Sequence, residues 1–229
     1  MITFPFRELV VSLMWLATQT RPDISNAVRA VARYCASPRQ IHWRAALGIL
    51  GYVKRTSTLG ITFRRGSSFG LHPIAFADAD YASRGTDRRS VSGGLIMCGG
   101  GCVSWFSRTQ KCVTLSTSEA EYVAMTDTLK EVLFLRHVWE FMLPEVERLC
   151  IQLFEDNQGA IQLAENPVTG GSSKNIEVRY HFIRQWVQRG EIKIKHVSSE
   201  LQHADFLTKA LPADLFEFHR DYVMSNMNA

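Results

Sequence analysis

The hydrophobic pattern of this chain changes period once, near residue 70, and that change restricts the fold more than any other feature. Before it, apolar residues recur at helical spacing. Phe6, Leu9, Val10, Leu13 and Met14 share one face, Ile24, Val28, Val31 and Cys35 a second, and Trp43, Ala46, Leu47 and Leu50 a third. Thr20, Arg21, Pro22 and Asp23 separate the first two helices, with Pro22 or Asp23 in the opening turn of the second and Arg29 and Arg33 on its outer face. The stretch RRGSSFG (residues 64–70) then reads as a boundary. Residues 1–70 are therefore expected to form a small basic helical segment, and residues 71–229 a second domain.

From residue 71, short apolar runs alternate with helical stretches. Strands are expected over residues 72–78, 91–98, 102–107, 149–154 and 191–197, with 111–115 extending the third. Gly99, Gly100 and Gly101 join the second strand to the third. Helices are expected over residues 116–143, 158–164 and 180–187, and from Ala204 onward. The order β-β-β-α-β-α-α-β-α describes an α/β domain, a mixed five-stranded sheet flanked by helices.

With 229 residues and 46% hydrophobic content, the chain can bury a core. No apolar run reaches the roughly 20 residues of a membrane span, and MITFPFREL lacks a signal-peptide layout. Five cysteines (Cys35, Cys98, Cys102, Cys112 and Cys150) without framework spacing point to free thiols in a reducing, intracellular compartment. Cys98, Cys102 and Cys112 lack the closing pair a zinc site needs. Residues 1–70 carry ten Lys/Arg against Glu8 and Asp23, whereas the remainder is net acidic. A basic segment joined to an acidic one suits an enzyme acting on a polyanion, with Arg29, Arg33 and Arg44 as phosphate contacts.

Four acids stand at the ends of these elements. Asp78 closes a strand in FADAD, Glu121 lies early in a helix in STSEAEYVA, Asp156 follows a strand in FEDN, and Asp205 opens a helical pattern in HADFLTK. Converging carboxylates repel one another unless hard cations neutralise them. Two Mg²⁺ about 3.5–4 Å apart can activate water and stabilise a leaving phosphodiester oxygen. Ser116 and Glu119 form a capping-box pattern, which leaves Glu121 as the better ligand. Asp80 shares a strand face with Asp78 and competes with it. Of Glu155 and Asp156, only one is expected to face the active edge.

The strings FADADYAS, DRRSVSGGLIMCGGGCVSWFSRTQKCVTLSTSEAEYVAM, FEDNQGAIQLAENP, VRYHFIRQWVQRGEIKIKHV and ADFLTKAL resemble the ribonuclease H domain of copia-type retrotransposon polyproteins. LVVSLMWLATQTRPDISNAV and HWRAALGILGYVKRT resemble the segment joining reverse transcriptase to that domain. The resemblance spans nearly the whole chain. It implies a ribonuclease H-like fold that cleaves the RNA strand of RNA–DNA hybrids, with Asp78, Glu121, Asp156 and Asp205 as metal-binding acids. It further implies in-line attack by an activated water, leaving a 3′-hydroxyl and a 5′-phosphate. Mg²⁺ suits all-oxygen ligation and Mn²⁺ can substitute. His196 or His203 would serve either as a proton relay or in a surface or capping role, whereas His181 reads as packing or polar support. Ser116, Thr117, Ser118 and Asn157 are placed either to read the 2′-hydroxyl or to cap and turn the backbone. Arg88, Arg89 and Lys111 would contact phosphates.

The resemblance also implies partners and a setting: the RNA–DNA hybrid, the upstream reverse transcriptase body, and a cytoplasmic virus-like particle or the nucleus. Asn175 departs from the family, which usually carries His there. No YxDD-type polymerase motif is present, so this chain alone is not expected to polymerise DNA. The rival expectations are an idle remnant that binds nucleic acid without cutting it, and a DNA endonuclease on the same fold.

Overall fold

The computed structural model describes residues 5–63, 73–83, 87–142, 144, 150–165 and 174–226. Helices α1 (Phe6–Gln19), α2 (Ser25–Ala32) and α3 (Gln40–Arg55) form the N-terminal layer. Strand β1 (Leu59–Gly60) follows, then β2 (Ile74–Asp80), β3 (Val91–Cys98), β4 (Gly101–Thr109) and the long helix α4 (Thr117–Met142). The chain continues through β5 (Ile151–Glu155), α5 (Gln158–Glu165), α6 (Lys174–Gln188) and β6 (Ile192–His196), and ends with α7 (Ala213–Val223) and β7 (Ser225–Asn226). Short 3₁₀ turns occupy Pro22–Ile24, Ser199–Leu201 and Asp205–Leu207.

The main sheet has the order β4-β3-β2-β5-β6. β2, β3 and β4 are antiparallel, while β5 runs parallel to both β2 and β6. Gly99 and Gly100, at φ 61° and 79°, make the two-residue turn from β3 to β4, a conformation that suits the twist of the flanking strands. Alternation along β2 divides the core. Ala75, Ala77 and Ala79 pack with Tyr122, Met125, Leu129 and Val132 of α4, whereas Phe76 packs with Leu95, Phe206, Leu207 and Val223 on the opposite face.

The N-terminal helices are built onto this sheet. Trp105 Nε1 of β4 donates to Ala17 O at 2.7 Å, and Arg29 Nε donates to Ser107 Oγ at 3.0 Å. β1 pairs with β7, so the chain just before residue 64 is held by its C-terminal end. Arg29, expected on an outer face, is instead half-buried, because that side of α2 packs on β4. Arg21 and Asp23 do more than punctuate. Arg21 Nε and Nη2 grip Asp23 at 2.9 and 2.7 Å, Arg21 also donates to Thr56 O, and Tyr52 Oη donates to Asp23 at 2.8 Å. Burial opposes the Arg21 charge, but Asp23 outweighs it and raises the guanidinium pKa.

Several expectations are corrected. Residues 111–115 are not a strand, since β4 already ends at Thr109 and the backbone turns toward the cap of α4. The chain after Ala204 makes only a 3₁₀ turn before α7 begins at Ala213, because Thr208 and Lys209 are turned into the site described below. Met14, Leu47 and Leu50 are 45%, 42% and 41% exposed, so the inner faces of α1 and α3 are narrower than their apolar patterns. His181, read as packing, is exposed on α6 beside buried Ile183. Residues 170–173 and the side chain of Asn175 lie outside the described residues.

Candidate active site

Asp78, Glu121 and Asp156 each offer a carboxylate oxygen, and the three atoms lie within 4.8 Å of one another. Asp78 is near the end of β2, Glu121 is in the first turns of α4, and Asp156 directly follows β5. Because β2 and β5 are parallel neighbours, their C-terminal ends bring the two aspartates side by side. The start of α4 is fixed by the expected cap: Glu119 N–H donates to Ser116 Oγ at 3.2 Å, and Leu115 N–H donates to Glu119 Oε2 at 2.7 Å. With Glu119 turned back to the backbone, Glu121 is the acid that enters the cluster.

Asp205 joins from the other side, through a segment fastened to β2 and β3. Buried Gln202 donates from Nε2 to Ala77 O at 2.8 Å. The Thr208 hydroxyl meets Asp78 Oδ2 and lies 2.9 Å from Asp205 O. Lys209 Nζ sits 3.0 Å from Asp205 Oδ1 and 3.5 Å from Asp78 Oδ1. Gly93, paired across from Asp78, makes this approach possible. A Cβ there would meet Thr208 Cγ2 at 2.7 Å, Leu207 Cβ at 2.9 Å and Ala204 O at 3.1 Å. Gly93→Ala is therefore expected to push this segment off the sheet, costing about 1–3 kcal/mol in a urea melt and a larger fraction of activity than of stability.

Burial raises the Glu121 carboxyl well above its ordinary value, reinforced by Glu155 and Asp78. Asp205 is raised to about 8 by burial and then by Asp78, against the pull of Lys209. Asp78 is raised by burial, with Lys209 and Thr208 opposing. Glu155, the rival of Asp156, stays outside the three-acid group: it is fully buried, its Oε1 accepts the Asn157 N–H at 3.0 Å, and burial raises it as well. The folded protein thus holds protons that the unfolded chain would release. Its metal-free stability should fall as pH rises through about 7 toward about 8, the value to which Asp205 is raised. Melting in EDTA across that window measures the fall, and added Mg²⁺ should shrink it. Glu121 Oε2 is a buried acceptor without a donor among the described residues, which fits a hard cation bound by oxygen ligands.

No family model matches the chain. Among curated proteins, it is 38% identical over 231 residues to the Retrovirus-related Pol polyprotein from transposon TNT 1-94 of Nicotiana tabacum, covering 100% of this chain and 17% of that protein. It is 37% identical over 218 residues to the Retrovirus-related Pol polyprotein from transposon RE2 of Arabidopsis thaliana, covering 93% of this chain and 14% of that one. The chain belongs to the copia-type retrotransposon Pol polyproteins. It spans about a sixth of the length of these relatives. The secreted RxLR effector protein 161 of Plasmopara viticola is also similar, 37% identical over 131 residues, covering 57% of this chain and 91% of its own.

Among solved structures, the foamy viral protease-reverse transcriptase in complex with RNA/DNA hybrid covers 93% of this chain and 27% of its own, with TM-score 0.54 and 12% identity. LC11-RNase H1, isolated from compost by a metagenomic approach, covers 60% of this chain and 93% of its own, with TM-score 0.46 and 16% identity. The fold is a mixed five-stranded sheet flanked by helices, and ribonuclease H domains are among its structural neighbours.

The remaining candidate residues of this Pol segment are spread around the acids. Asn157 Oδ1 accepts from Ala160 N–H at 3.0 Å and Ser118 Oγ at 3.2 Å, capping α5 and tying it to α4. Ser116 and Thr117 are exposed at the start of α4. Arg88, Arg89 and Lys111 are exposed, and Arg89 lies 3.7 Å from Asp87. Arg33 and Arg44 are exposed on the helical layer. His196 is exposed at the end of β6, paired with Glu155. His203 is stacked on Tyr222 with centroids 3.6 Å apart, its Nδ1 3.1 Å from His219 Nδ1. Burial, then His219, lowers it to about 4. Neither histidine belongs to the three-acid group.

Sequence reasoning missed Gln202, Thr208 and Lys209, and weighed Glu155 only as a rival to Asp156. Lys209 had a signal, the i,i+4 spacing from Asp205, whereas Gln202 and Thr208 act through contacts about 130 residues away in sequence, which no local pattern encodes.

Proposed function

We propose that this Pol segment is a divalent-metal-dependent ribonuclease H that cleaves the RNA strand of RNA–DNA hybrids made during reverse transcription. The observation that carries the reading is the convergence of Asp78, Glu121 and Asp156 within 4.8 Å at the end of a buried sheet. These three residues would hold the metal, with Asp205 completing the acid set beside Asp78. A bound Mg²⁺ or Mn²⁺ would supply Lewis acidity toward water and the phosphodiester. Around it, Ser199 Oγ orients Asp156 by donating to Oδ2 at 2.6 Å, and Thr208 orients Asp78. The proposal includes two ions, the upstream reverse transcriptase as partner, and an intracellular setting. No helix among the described residues is long and apolar enough to cross a membrane.

The test incubates the chain with labelled RNA–DNA hybrid, double-stranded DNA and double-stranded RNA, in Mg²⁺ or EDTA. Cleavage confined to the hybrid and lost in EDTA supports the reading. Binding without cleavage in either condition would leave an idle remnant, and cutting of double-stranded DNA would favour the DNA endonuclease.

The basic residues are proposed as the hybrid-holding surface, with Arg33 and Arg44 exposed and Arg88, Arg89 and Lys111 flanking the sheet. Neutralising Arg33 and Arg44 together is expected to lower the slope of log affinity against log salt by about 1–2. Arg29 is left out of this test because it also joins α2 to β4. An unchanged slope would show that these charges only face solvent.

A further inference from the structure

Lys209 has no role in the reading above, yet its ammonium stands in the middle of the acids. It lies 3.0 Å from Asp205 Oδ1 and 3.5 Å from Asp78 Oδ1. The three-acid group of Asp78, Glu121 and Asp156 does not include Asp205, so Lys209 bridges the group to the fourth acid. The acids therefore divide into two cation positions that share Asp78. One is framed by three carboxylates, and the other, between Asp78 and Asp205, is already filled by a positive charge.

We propose that Lys209 is a tethered cation that holds the Asp78–Asp205 position in the metal-free protein, and that a second divalent ion binds there only by displacing it. The reasoning is electrostatic. Asp78 and Asp205 are 1% and 5% exposed, and two carboxyl groups at that depth can ionise together only beside a compensating charge. Lys209 supplies it from a short tether, because its backbone N–H is bonded to Asp205 O at 3.1 Å at the end of the 3₁₀ turn. Its side chain remains 36% exposed, so the ammonium has a route back to water when a stronger cation arrives. Glu121 Oε2 and Asp205 Oδ1 are both buried acceptors without a hydrogen bond, but only Asp205 Oδ1 has the Lys209 ammonium 3.0 Å away, so a first ion can enter the three-acid position with Lys209 in place. The inference rests on the metal-dependent reading, and it orders the two ions: the first binds to a ready position, the second competes with an internal charge.

Two measurements on the full chain without nucleic acid test it. Melting in EDTA is compared for the wild type, Lys209→Gln and Lys209→Arg. The Gln variant should melt lower by about 2–4 °C, while the Arg variant, which keeps the charge, stays near the wild type. Mn²⁺ is then titrated and counted by electron paramagnetic resonance. The second ion should bind Lys209→Gln at least about tenfold tighter than the wild type, as expected for removing one unit charge a few ångströms away. The first ion should gain less. Lys130→Gln, which removes an exposed charge paired with Asp127, controls for net charge and should change neither ion.

Equal second-ion affinity in Lys209→Gln and the wild type would overturn the displacement, as would an equal gain in Lys130→Gln. Identical EDTA melting of wild type and Lys209→Gln would overturn the tethered cation. Failure of every variant to bind Mn²⁺ would instead sink the metal-dependent reading along with the displacement, while the EDTA melts would still decide what Lys209 does in the metal-free protein.

Discussion

Asp156→Asn is expected to lower hybrid cleavage by at least about 100-fold in Mg²⁺ while leaving the fold intact. Loss of an outer partner of a metal ligand already costs about 10–100-fold, so loss of a ligand's charge should exceed that range. Asp156 is the cleanest of the acids to change. It is only half-buried, it follows β5 rather than lying within it, and its bond from Ser199 can be kept by the Asn carbonyl oxygen. Removing one charge from a cluster of raised carboxyls also relieves repulsion, so melting in EDTA should not fall. Circular dichroism and a labelled-hybrid assay on the same preparation separate the two effects. Full activity in Asp156→Asn would remove this residue from the site, and loss of folding would make the assay a measure of structure instead.

The second large effect is structural and lies far from the acids. Asp23→Ala is expected to destabilise the protein by about 3–5 kcal/mol, the cost of leaving one member of a buried ion pair alone. The Arg21 and Asp23 side chains are 6% and 0% exposed, so water cannot replace the lost partner. The change also strips Tyr52 Oη of its acceptor and loosens the junction of α1, α2 and α3. Since Tyr52 meets Phe216 of α7 edge to face with centroids 6.0 Å apart, the loss should spread to the C-terminal helix. A urea melt measures it. The conservative Asp23→Asn should recover part of the loss, because it keeps a hydrogen-bond acceptor without the charge. A change below about 1 kcal/mol, the usual worth of an exposed pair, would mean that the helical layer is not coupled to the folding of the sheet.

The two expectations differ in how visible their residues were. Asp156 could be picked out because a strand pattern ended beside it in FEDN. Asp23 could only be read as a helix-start residue, since Tyr52, which donates to it, stands 29 positions away and nothing local marks the contact. Faces were legible where one side of an element is fully buried, as for Val28 and Val31, and misread where the partner surface is small, as for Leu47 and Leu50. The choice between Glu119 and Glu121 was local, because capping acts over three residues. The assumption that Glu155 and Asp156 must face opposite ways came from strand alternation. Asp156 enters the three-acid group and Glu155 does not, but alternation gave no sign that Glu155 would be buried close enough to raise Glu121.

The sequence by itself determined the order of the five main-sheet strands and of helices α1 to α6, the ends at which the acids stand, and the family, because period, capping and long matching strings are all written along the chain. Only the tertiary structure decided which acids come together. That depends on β2 and β5 lying side by side, on Gly93 letting the segment from Ala204 to Thr208 close against β3, and on Lys209 reaching between Asp78 and Asp205. Electrostatic energy varies with distances through space, and residues 78 and 209 become neighbours only when the sheet has formed.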